Sequence, residues 1–152
     1  MCALPRFENG TLIDQGVEAR PKDTASAIAM GAVYVAAIEA AVEVAGVSYF
    51  DAALVDGRFR AACALRLLHH VNMESVVFMH DFWPRIKSRG RYDMVLSYYD
   101  VIGYARSLVV LRRKPPETMP ADWQTVWRDA LPSQEMAEDG IGGNIGAHGL
   151  AL

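Results

Sequence analysis

The order of apolar and polar positions along the chain predicts helices that alternate with short buried strands. The longest stretch without a charged residue begins at Thr24, directly after the N-cap candidate Asp23, and it is rich in alanine. We expect a helix that runs from there to Ala45 and stops at Gly46. Its composition is typical of a buried or amphipathic helix.

Two short apolar runs, each followed directly by polar residues, are typical of buried parallel strands. They cover residues 51–55 and 75–79, and a helical pattern fills residues 58–70 between them. A right-handed crossover of this kind brings the carboxyl ends of both strands to one edge of the sheet, where open α/β sheets bind ligands. The residues predicted at that edge are Asp56, Gly57, Arg58, His80 and Asp81.

The remaining pattern completes an α/β fold of strands flanked by helices. After the second strand we expect a polar loop over 82–90, a helix over 92–99, strands over 101–105 and 108–112, and a short docking helix within 123–130. The chain then divides into an irregular segment (1–22), an α/β unit (23–114), a docking-helix region (115–131) and a flexible glycine-rich tail (132–152).

Composition and charge narrow the classes of function. The net charge of −3 argues against a nucleic-acid partner. The two cysteines, Cys2 and Cys63, are expected to be free thiols of a reducing compartment. Residues 1–6 lack the pattern of a signal peptide, and Glu39 interrupts the long apolar stretch before the about 20 residues that a membrane span needs. We therefore expect a cytoplasmic protein without a membrane partner.

Several segments of the chain resemble successive blocks of one enzyme family. They are Val-Asp-Gly-Arg-Phe-Arg at 55–60, Met-His-Asp-Phe at 79–82, Arg-Tyr at 91–92, Tyr-Asp at 99–100 and Leu-Val-Val-Leu-Arg at 108–112. Over roughly residues 31–114 the chain resembles the C-terminal half of class I S-adenosylmethionine-dependent methyltransferases. The resemblance implies a partial Rossmann-like sheet, in which parallel strands are followed by a closing antiparallel hairpin.

The same resemblance implies that the cofactor site is incomplete. Such proteins begin with a strand and a glycine-rich turn that hold the cofactor, and no such pattern precedes residue 31. The glycine-rich run at 140–146 lacks the G-x-G-x-x-G spacing and follows no strand. We expect a methyltransferase-like protein that binds or acts on a small molecule, with S-adenosylmethionine as the candidate cofactor. The alternative is a non-enzymatic remnant, or a binding or assembly module that another chain completes.

The resemblance and the predicted sheet edge together give the candidate site residues. Cofactor binding is assigned to Asp56, Gly57 and Arg58, and catalysis at the methyl acceptor to His80 and Asp81. Substrate binding is assigned to three cationic or aromatic side chains at the same edge and in the basic loop, namely Arg60, Arg91 and Tyr92.

Structural roles compete with each of these assignments. Asp56 can cap the helix that follows it, since its carboxylate can accept hydrogen bonds from free backbone N–H groups. Arg58 and Arg60 suit an anionic ligand, but they can equally form ion pairs with Asp56 or Asp81. His80 can act as a general base or as a structural hydrogen-bond partner.

A metal is the less favoured use of the two aspartates. Carboxylates at neighbouring strand ends, as expected for Asp56 and Asp81, are the oxygen ligands that divalent cations prefer. Cation-dependent O-methyltransferases have acidic residues at similar positions, but there the second strand usually ends in Asp-Asn, whereas Phe82 follows Asp81 here. We therefore expect no metal ion.

The missing half also predicts an exposed sheet edge. The strand at 51–55 would have another parallel strand on its free side in a complete domain of this family. Left at an edge, it presents unpaired backbone groups and apolar side chains such as Leu54. We expect self-association into a homo-oligomer, or a partner chain, at this edge.

Overall fold

The computed structural model describes residues 7–8, 11–12, 23–86 and 92–132. They form a mixed α/β structure with an open four-stranded sheet and flanking helices. The strands are β1 (Phe7–Glu8), β2 (Thr11–Leu12), β3 (Ala52–Val55), β4 (Val76–Met79), β5 (Tyr99–Ala105) and β6 (Leu108–Arg113). The helices are α1 (Thr24–Ala45), α2 (Arg60–Arg66), α3 (Phe82–Arg85) and α4 (Trp127–Ala130). The described residues also form 3₁₀ helices at Leu67–His69, Tyr92–Ser97 and Pro116–Thr118.

Helix α1 has the predicted bounds because both of its ends are capped. At the N-terminus the Asp23 carboxylate accepts a hydrogen bond from the Ser26 N–H at 2.7 Å, and the Ser26 hydroxyl oxygen accepts one from the Asp23 N–H at 3.0 Å. This reciprocal pair satisfies two N–H groups that would otherwise have no partner in the helix. At the C-terminus Gly46 has a φ of 64°, a left-handed conformation that glycine adopts without steric cost.

Helix α1 contacts the body through a narrow strip. Its buried residues are Ala27, Gly31 and Val35. A Cβ atom at Gly31 would lie 2.6 Å from Leu131 Cδ2 and 2.8 Å from Phe59 Cδ1, so glycine is what permits this close approach. Gly31 thus lies inside the helix, at its closest approach to Phe59 and Leu131.

By length and composition α1 is also able to cross a membrane. It has 22 residues, an 18-residue stretch of it has a mean hydropathy of 1.8, and it is the one such helix in the described part of the chain. The helix continues through Glu39, so the expectation that this residue ends the apolar segment too early for a span is wrong. Core helices of soluble proteins and signal sequences near an N-terminus have the same length and composition.

The four-stranded sheet has the order β3-β4-β6-β5. Strands β3 and β4 are parallel, with Leu54 opposite Phe78 and Val55 opposite Met79, which confirms the predicted parallel pair. Strand β6 is antiparallel to both β4 and β5. The last strand in the chain, β6, therefore lies inside the sheet. Of the three strand pairs in this sheet, β3–β4 is parallel and the other two are antiparallel.

The two edges of the sheet differ in their exposed side chains and regularity. Strand β5 has a register shift between Val101 and Gly103, which interrupts its ladder. Strand β3 is a regular four-residue strand, and the side chain of Leu54 on it is 68% exposed. Among the described residues, no strand pairs with the outer side of β3.

The core lies between the sheet and helix α2. Ala61, Ala64 and Leu65 of α2 are completely buried, as is Leu68 in the 3₁₀ segment that follows. The helix begins at Arg60, two residues later than the pattern predicts, because Phe59 has a left-handed backbone with φ 53°. The Phe59 ring is completely buried and contacts Tyr34 of α1, with ring centroids 5.4 Å apart.

Several predicted elements are shorter than expected or of another kind. The loop predicted over 82–90 begins with helix α3, the helix predicted over 92–99 is a 3₁₀ segment, and the docking helix is reduced to α4 after a series of turns. Short as it is, α4 packs on α2 with Ala130 buried. The N-terminal segment predicted as irregular contains the antiparallel pair β1–β2. The predicted tail lies outside the described residues from 133 onward.

Candidate functional site

Two carboxylates and an imidazole meet at the carboxyl ends of β3 and β4. Asp56 follows β3 directly, and His80 and Asp81 follow β4. His80 Nδ1 lies 3.5 Å from Asp56 Oδ1 and 3.5 Å from Asp81 Oδ1. The backbone supports this arrangement, since the His80 N–H donates to the Val55 carbonyl at 3.1 Å and extends the parallel ladder. The three side chains remain between one third and one half exposed, so solvent and ligands can reach them.

The buried side chain of Arg60 contacts both carboxylates of the site. Arg60 Nη2 lies 3.0 Å from Asp56 Oδ1, and its Nη1 lies 3.4 Å from Asp81 Oδ2. The same Nη1 donates to the Tyr92 hydroxyl at 3.4 Å. Burial lowers the pKa of Arg60, but the Tyr92 hydroxyl and the two carboxylates outweigh that effect and raise it above its ordinary value. Arg60 is therefore a permanent cation held by groups of the site itself.

These contacts decide between the alternatives weighed for Asp56 and Arg60. The N-cap residue of α2 is Phe59, whose side chain makes no capping hydrogen bond. Asp56 is therefore not the N-cap residue of this helix. The alternative ion pair is confirmed for Arg60, which lies one helical turn after Asp56 and contacts both aspartates.

His80 also contacts a residue that the sequence pattern did not single out. Its Nε2 lies 3.2 Å from the hydroxyl oxygen of Ser107, in the turn between β5 and β6. The Ser107 carbonyl accepts a hydrogen bond from the Phe82 N–H at 2.8 Å, which holds this turn against the end of β4. The imidazole is thus fixed between a hydroxyl on one nitrogen and two carboxylates near the other. The turn at Arg106-Ser107 was visible in the sequence, but its packing against β4 was not.

A groove runs from this edge along β3. It has a volume of about 410 Å³, and its walls come from α1, β3 and α2. Most of its lining is apolar, including Tyr34, Ile38 and Leu54. Asp56 and Arg58 provide ionic groups at the end nearest the candidate site. Gly57 precedes Arg58. Its φ of 139° is a backbone conformation in which any residue with a side chain would be strained.

Cys63 lines the same groove but is not a nucleophile. Burial raises the pKa of its thiol to about 11, so the thiol stays protonated near neutral pH. Because the thiolate is the reactive form, this agrees with its interpretation as a small core residue.

The three residues assigned to substrate binding have different positions. Arg60 is engaged with Asp56 and Asp81, as described. Tyr92 is completely buried, with its ring 5.8 Å from that of Phe82, so it reaches the site through the hydroxyl that contacts Arg60. Arg91 lies outside the described residues, together with the rest of the segment 87–91.

The aspartate pair carries no metal-binding arrangement. Within residues 23–86 and 92–132, no group of three or more His, Cys, Asp or Glu side chains is arranged to hold a metal ion. The Arg60 guanidinium already provides the positive charge between Asp56 and Asp81. A cation placed there would be repelled by it.

A second polar cluster, which the sequence analysis missed, joins α1 to α2. Glu39 Oε1 accepts a hydrogen bond from Arg66 Nε at 2.6 Å and lies 2.9 Å from His70 Nε2. Burial raises the pKa of Glu39, but the contacts with His70 and Arg66 outweigh it and lower that pKa overall. One ionic connection therefore holds α1 to the region of α2 in addition to the apolar contacts.

Comparison with known proteins assigns no role to these residues. No protein-family model, no curated protein and no solved structure matches it.

Proposed function

We propose that the chain is a methyltransferase-like half-domain that binds a small molecule at the carboxyl edge of its parallel strand pair. The observation that carries this proposal is the meeting of Asp56, His80 and Asp81 at that edge, beside a groove of about 410 Å³. Ligands of open α/β sheets bind at such edges. The order β3-β4-β6-β5, with the last strand antiparallel to both neighbours, supports the Rossmann-like arrangement that the resemblance implies.

S-adenosylmethionine is the proposed cofactor, and the described residues fit a part of it. The half-exposed Asp56 carboxylate can accept hydrogen bonds from ribose hydroxyls. The Arg58 guanidinium, at the same end of the groove, suits the carboxylate of the methionine portion. Among the described residues before β3, no strand leads through a glycine-rich turn directly into a helix, which is the arrangement that would supply backbone N–H groups. This chain would therefore bind the cofactor from one side only.

The acceptor side of the proposed site consists of His80 and Asp81. Their side chains are 44% and 33% exposed, so a bound small molecule could contact both. The imidazole, with Ser107 near Nε2 and the two carboxylates near Nδ1, would act as the general base that takes a proton from an acceptor hydroxyl or amine. The bound cofactor would supply the methyl group.

Calorimetric titration with S-adenosylhomocysteine tests the proposal in two steps. A site built from one side buries less ligand surface, so we expect a dissociation constant weaker than about 100 μM for the purified chain. Asp56→Asn should weaken that binding further, while Asp100→Asn, a matched change on the far edge strand, should leave it unchanged. Micromolar affinity of the unmodified chain for S-adenosylhomocysteine would contradict a site built from one side. Equal effects of the two substitutions on the dissociation constant would show that Asp56 does not contact the ligand.

A second candidate function is an assembly module without catalysis. The specific observation in its favour is the unpaired outer side of β3, where the Leu54 side chain is 68% exposed. A regular strand left at an edge pairs readily with another chain. If no ligand binds at the carboxyl edge while the chain still associates through β3, this second function is the better account.

A further inference from the structure

We propose that the outer edge of β3, with which no strand of the described residues pairs, pairs with β3 of a second copy of this chain, antiparallel and centred on Leu54. This inference specifies the partner for the assembly function proposed above, and it rests on that proposal. The pairing would join two four-stranded sheets into one of eight strands, related by a twofold axis through the interface.

The backbone of β3 is oriented for this pairing. The carbonyls of Asp51 and Val55 accept hydrogen bonds from the N–H groups of Val76 and His80 on the β4 side. Because backbone groups alternate along a strand, the N–H and C=O groups of Ala52 and Leu54 point to the free side. A second strand can therefore form hydrogen bonds at Leu54 without displacing any contact to β4.

The two sheet edges differ in their protection against such pairing. Natural edge strands are commonly protected by bulges, charges or prolines. Strand β5 has an irregular register at Val101 and Gly103 and carries Asp100. Strand β3 has the sequence Ala-Ala-Leu-Val, with no charge, proline or register shift. The β3 edge is thus the one that can accept a partner strand.

Charge at the two ends of β3 favours an antiparallel over a parallel arrangement. Asp51 precedes the strand and is exposed, while Arg58 follows it and lines the groove at the other end. Antiparallel pairing brings Asp51 of each copy toward Arg58 of the other, whereas parallel pairing would align like charges. Asp56, at the same end as Arg58, is already compensated by Arg60.

The register centred on Leu54 follows from the same residues. In this register the two Leu54 side chains meet at the twofold axis, and Ala52 lies opposite Asp56 of the second copy. A shift by two residues in one direction would place Leu54 opposite Asp56, so that the two exposed Leu54 side chains would no longer meet. A shift the other way would move Arg58 away from Asp51 of the second copy.

Helix α1 gains an apolar partner in the same assembly. Its exposed side chains include Val33 and Tyr34, and Tyr34 lines the groove beside β3. A twofold axis perpendicular to the sheet brings both copies of α1 to the same side of the joined sheet. An interface of α1 and β3 would therefore be continuous, and it would remove exposed apolar surface from water.

Disulfide trapping of Leu54→Cys tests the register directly. Directly opposite residues in a hydrogen-bonded antiparallel pair have Cα atoms about 5.5 Å apart, within the roughly 4.4–6.8 Å that a disulfide spans. We expect a covalent dimer under mild oxidation, with the 54–54 link identified by mass spectrometry. Ala52→Cys is the matched control on the same face, because the two copies of residue 52 would be more than about 13 Å apart.

Sedimentation velocity tests the interface without a cross-link. The unmodified chain should dimerise, Leu54→Lys should raise the dissociation constant at least tenfold, and Ile102→Lys on the opposite edge strand should not change it. Both side chains are exposed, so circular dichroism should show an unaltered fold for each variant. Asp51→Arg and Arg58→Asp should each weaken the dimer, and the double variant should restore it.

Three results would overturn the proposal. They are a monomeric chain at about 100 μM, a dimer insensitive to Leu54→Lys, and cross-linking at residue 52 as fast as at residue 54. The cofactor titration measures ligand binding at Asp56 and Arg58 rather than association, so the two readouts separate the outcomes although both residues lie at the proposed interface. A monomeric chain that binds S-adenosylhomocysteine would therefore refute the dimer and leave the half-site standing.

Discussion

Arg60 Nη2 lies 3.0 Å from Asp56 Oδ1, one helical turn away, and this contact joins the end of β3 to the start of α2. The side chain of Arg60 is 9% exposed, whereas that of Asp56 is 50% exposed. The arginine is therefore a buried support beneath the site, and the aspartate keeps one side available to a ligand. The contact therefore holds the start of α2 against the end of β3.

Replacing Arg60 should destabilise the protein more than replacing Arg58. Arg60→Ala leaves Asp56, Asp81 and the buried Tyr92 hydroxyl without their shared donor, and we expect a loss of about 2–4 kcal/mol in the free energy of unfolding. Arg58→Ala is the matched control at the same strand end, and it should cost less than about 1 kcal/mol. Urea denaturation measures both, and equal losses would contradict the supporting role of Arg60.

Gly31 should not tolerate a side chain, although it lies inside a helix. Alanine normally stabilises a helix relative to glycine by about 1 kcal/mol. Here its Cβ would lie 2.6 Å from Leu131 and 2.8 Å from Phe59, so we expect Gly31→Ala to destabilise the protein by about 1–3 kcal/mol. The exposed Ala36 provides the reverse control, since Ala36→Gly should lose only the helix propensity. A more stable Gly31→Ala variant would show that α1 does not approach Phe59 this closely.

The attachment of α1 should weaken in acid through Glu39. The contacts with His70 and Arg66 outweigh burial and lower the pKa of Glu39 below its ordinary value of 4.5. A carboxylate with a depressed pKa stabilises the fold above its unfolded pKa and loses that contribution as the pH falls through the folded value. The stability difference between the unmodified chain and Glu39→Gln should be constant above pH 4.5 and shrink below it. A difference that grows in acid would contradict this assignment.

Cys63 should react slowly with alkylating reagents. Its pKa of about 11 leaves little thiolate at pH 8, and its side chain lies partly inside the groove beside β3. We expect alkylation by iodoacetamide, followed by mass spectrometry, to be at least about tenfold slower than for the same residue in urea. Equal alkylation rates in the two conditions would mean that the fold does not protect the Cys63 thiol.

The sequence predicts the elements better than their contacts. The bounds of α1 follow from Asp23 and Gly46, and the parallel pair follows from two apolar runs separated by a helical pattern. The late start of α2 was not predictable, because it depends on the left-handed backbone of Phe59 beneath Gly31. Tertiary packing, rather than local propensity, determines that conformation.

Contacts between distant segments were the least predictable part of the site. Asp56, His80 and Asp81 were expected together because the ends of parallel strands share an edge. The contact between His80 and Ser107 depends on how a hairpin turn packs against β4, 27 positions away, and no periodicity encodes it. The ion pairs of Arg60 were one of the alternatives that the sequence indicated, although the pattern misplaced the start of α2 by two residues.

The most direct test of a small-molecule half-site is amide chemical-shift mapping by NMR with S-adenosylhomocysteine at millimolar concentration. We predict shifts confined to residues 54–58 and 80–82, at the ends of β3 and β4, and their loss in Asp56→Asn but not in Asp100→Asn. Shifts elsewhere in the chain, or a spectrum unchanged by the ligand, would contradict a ligand site at the carboxyl edge of this strand pair.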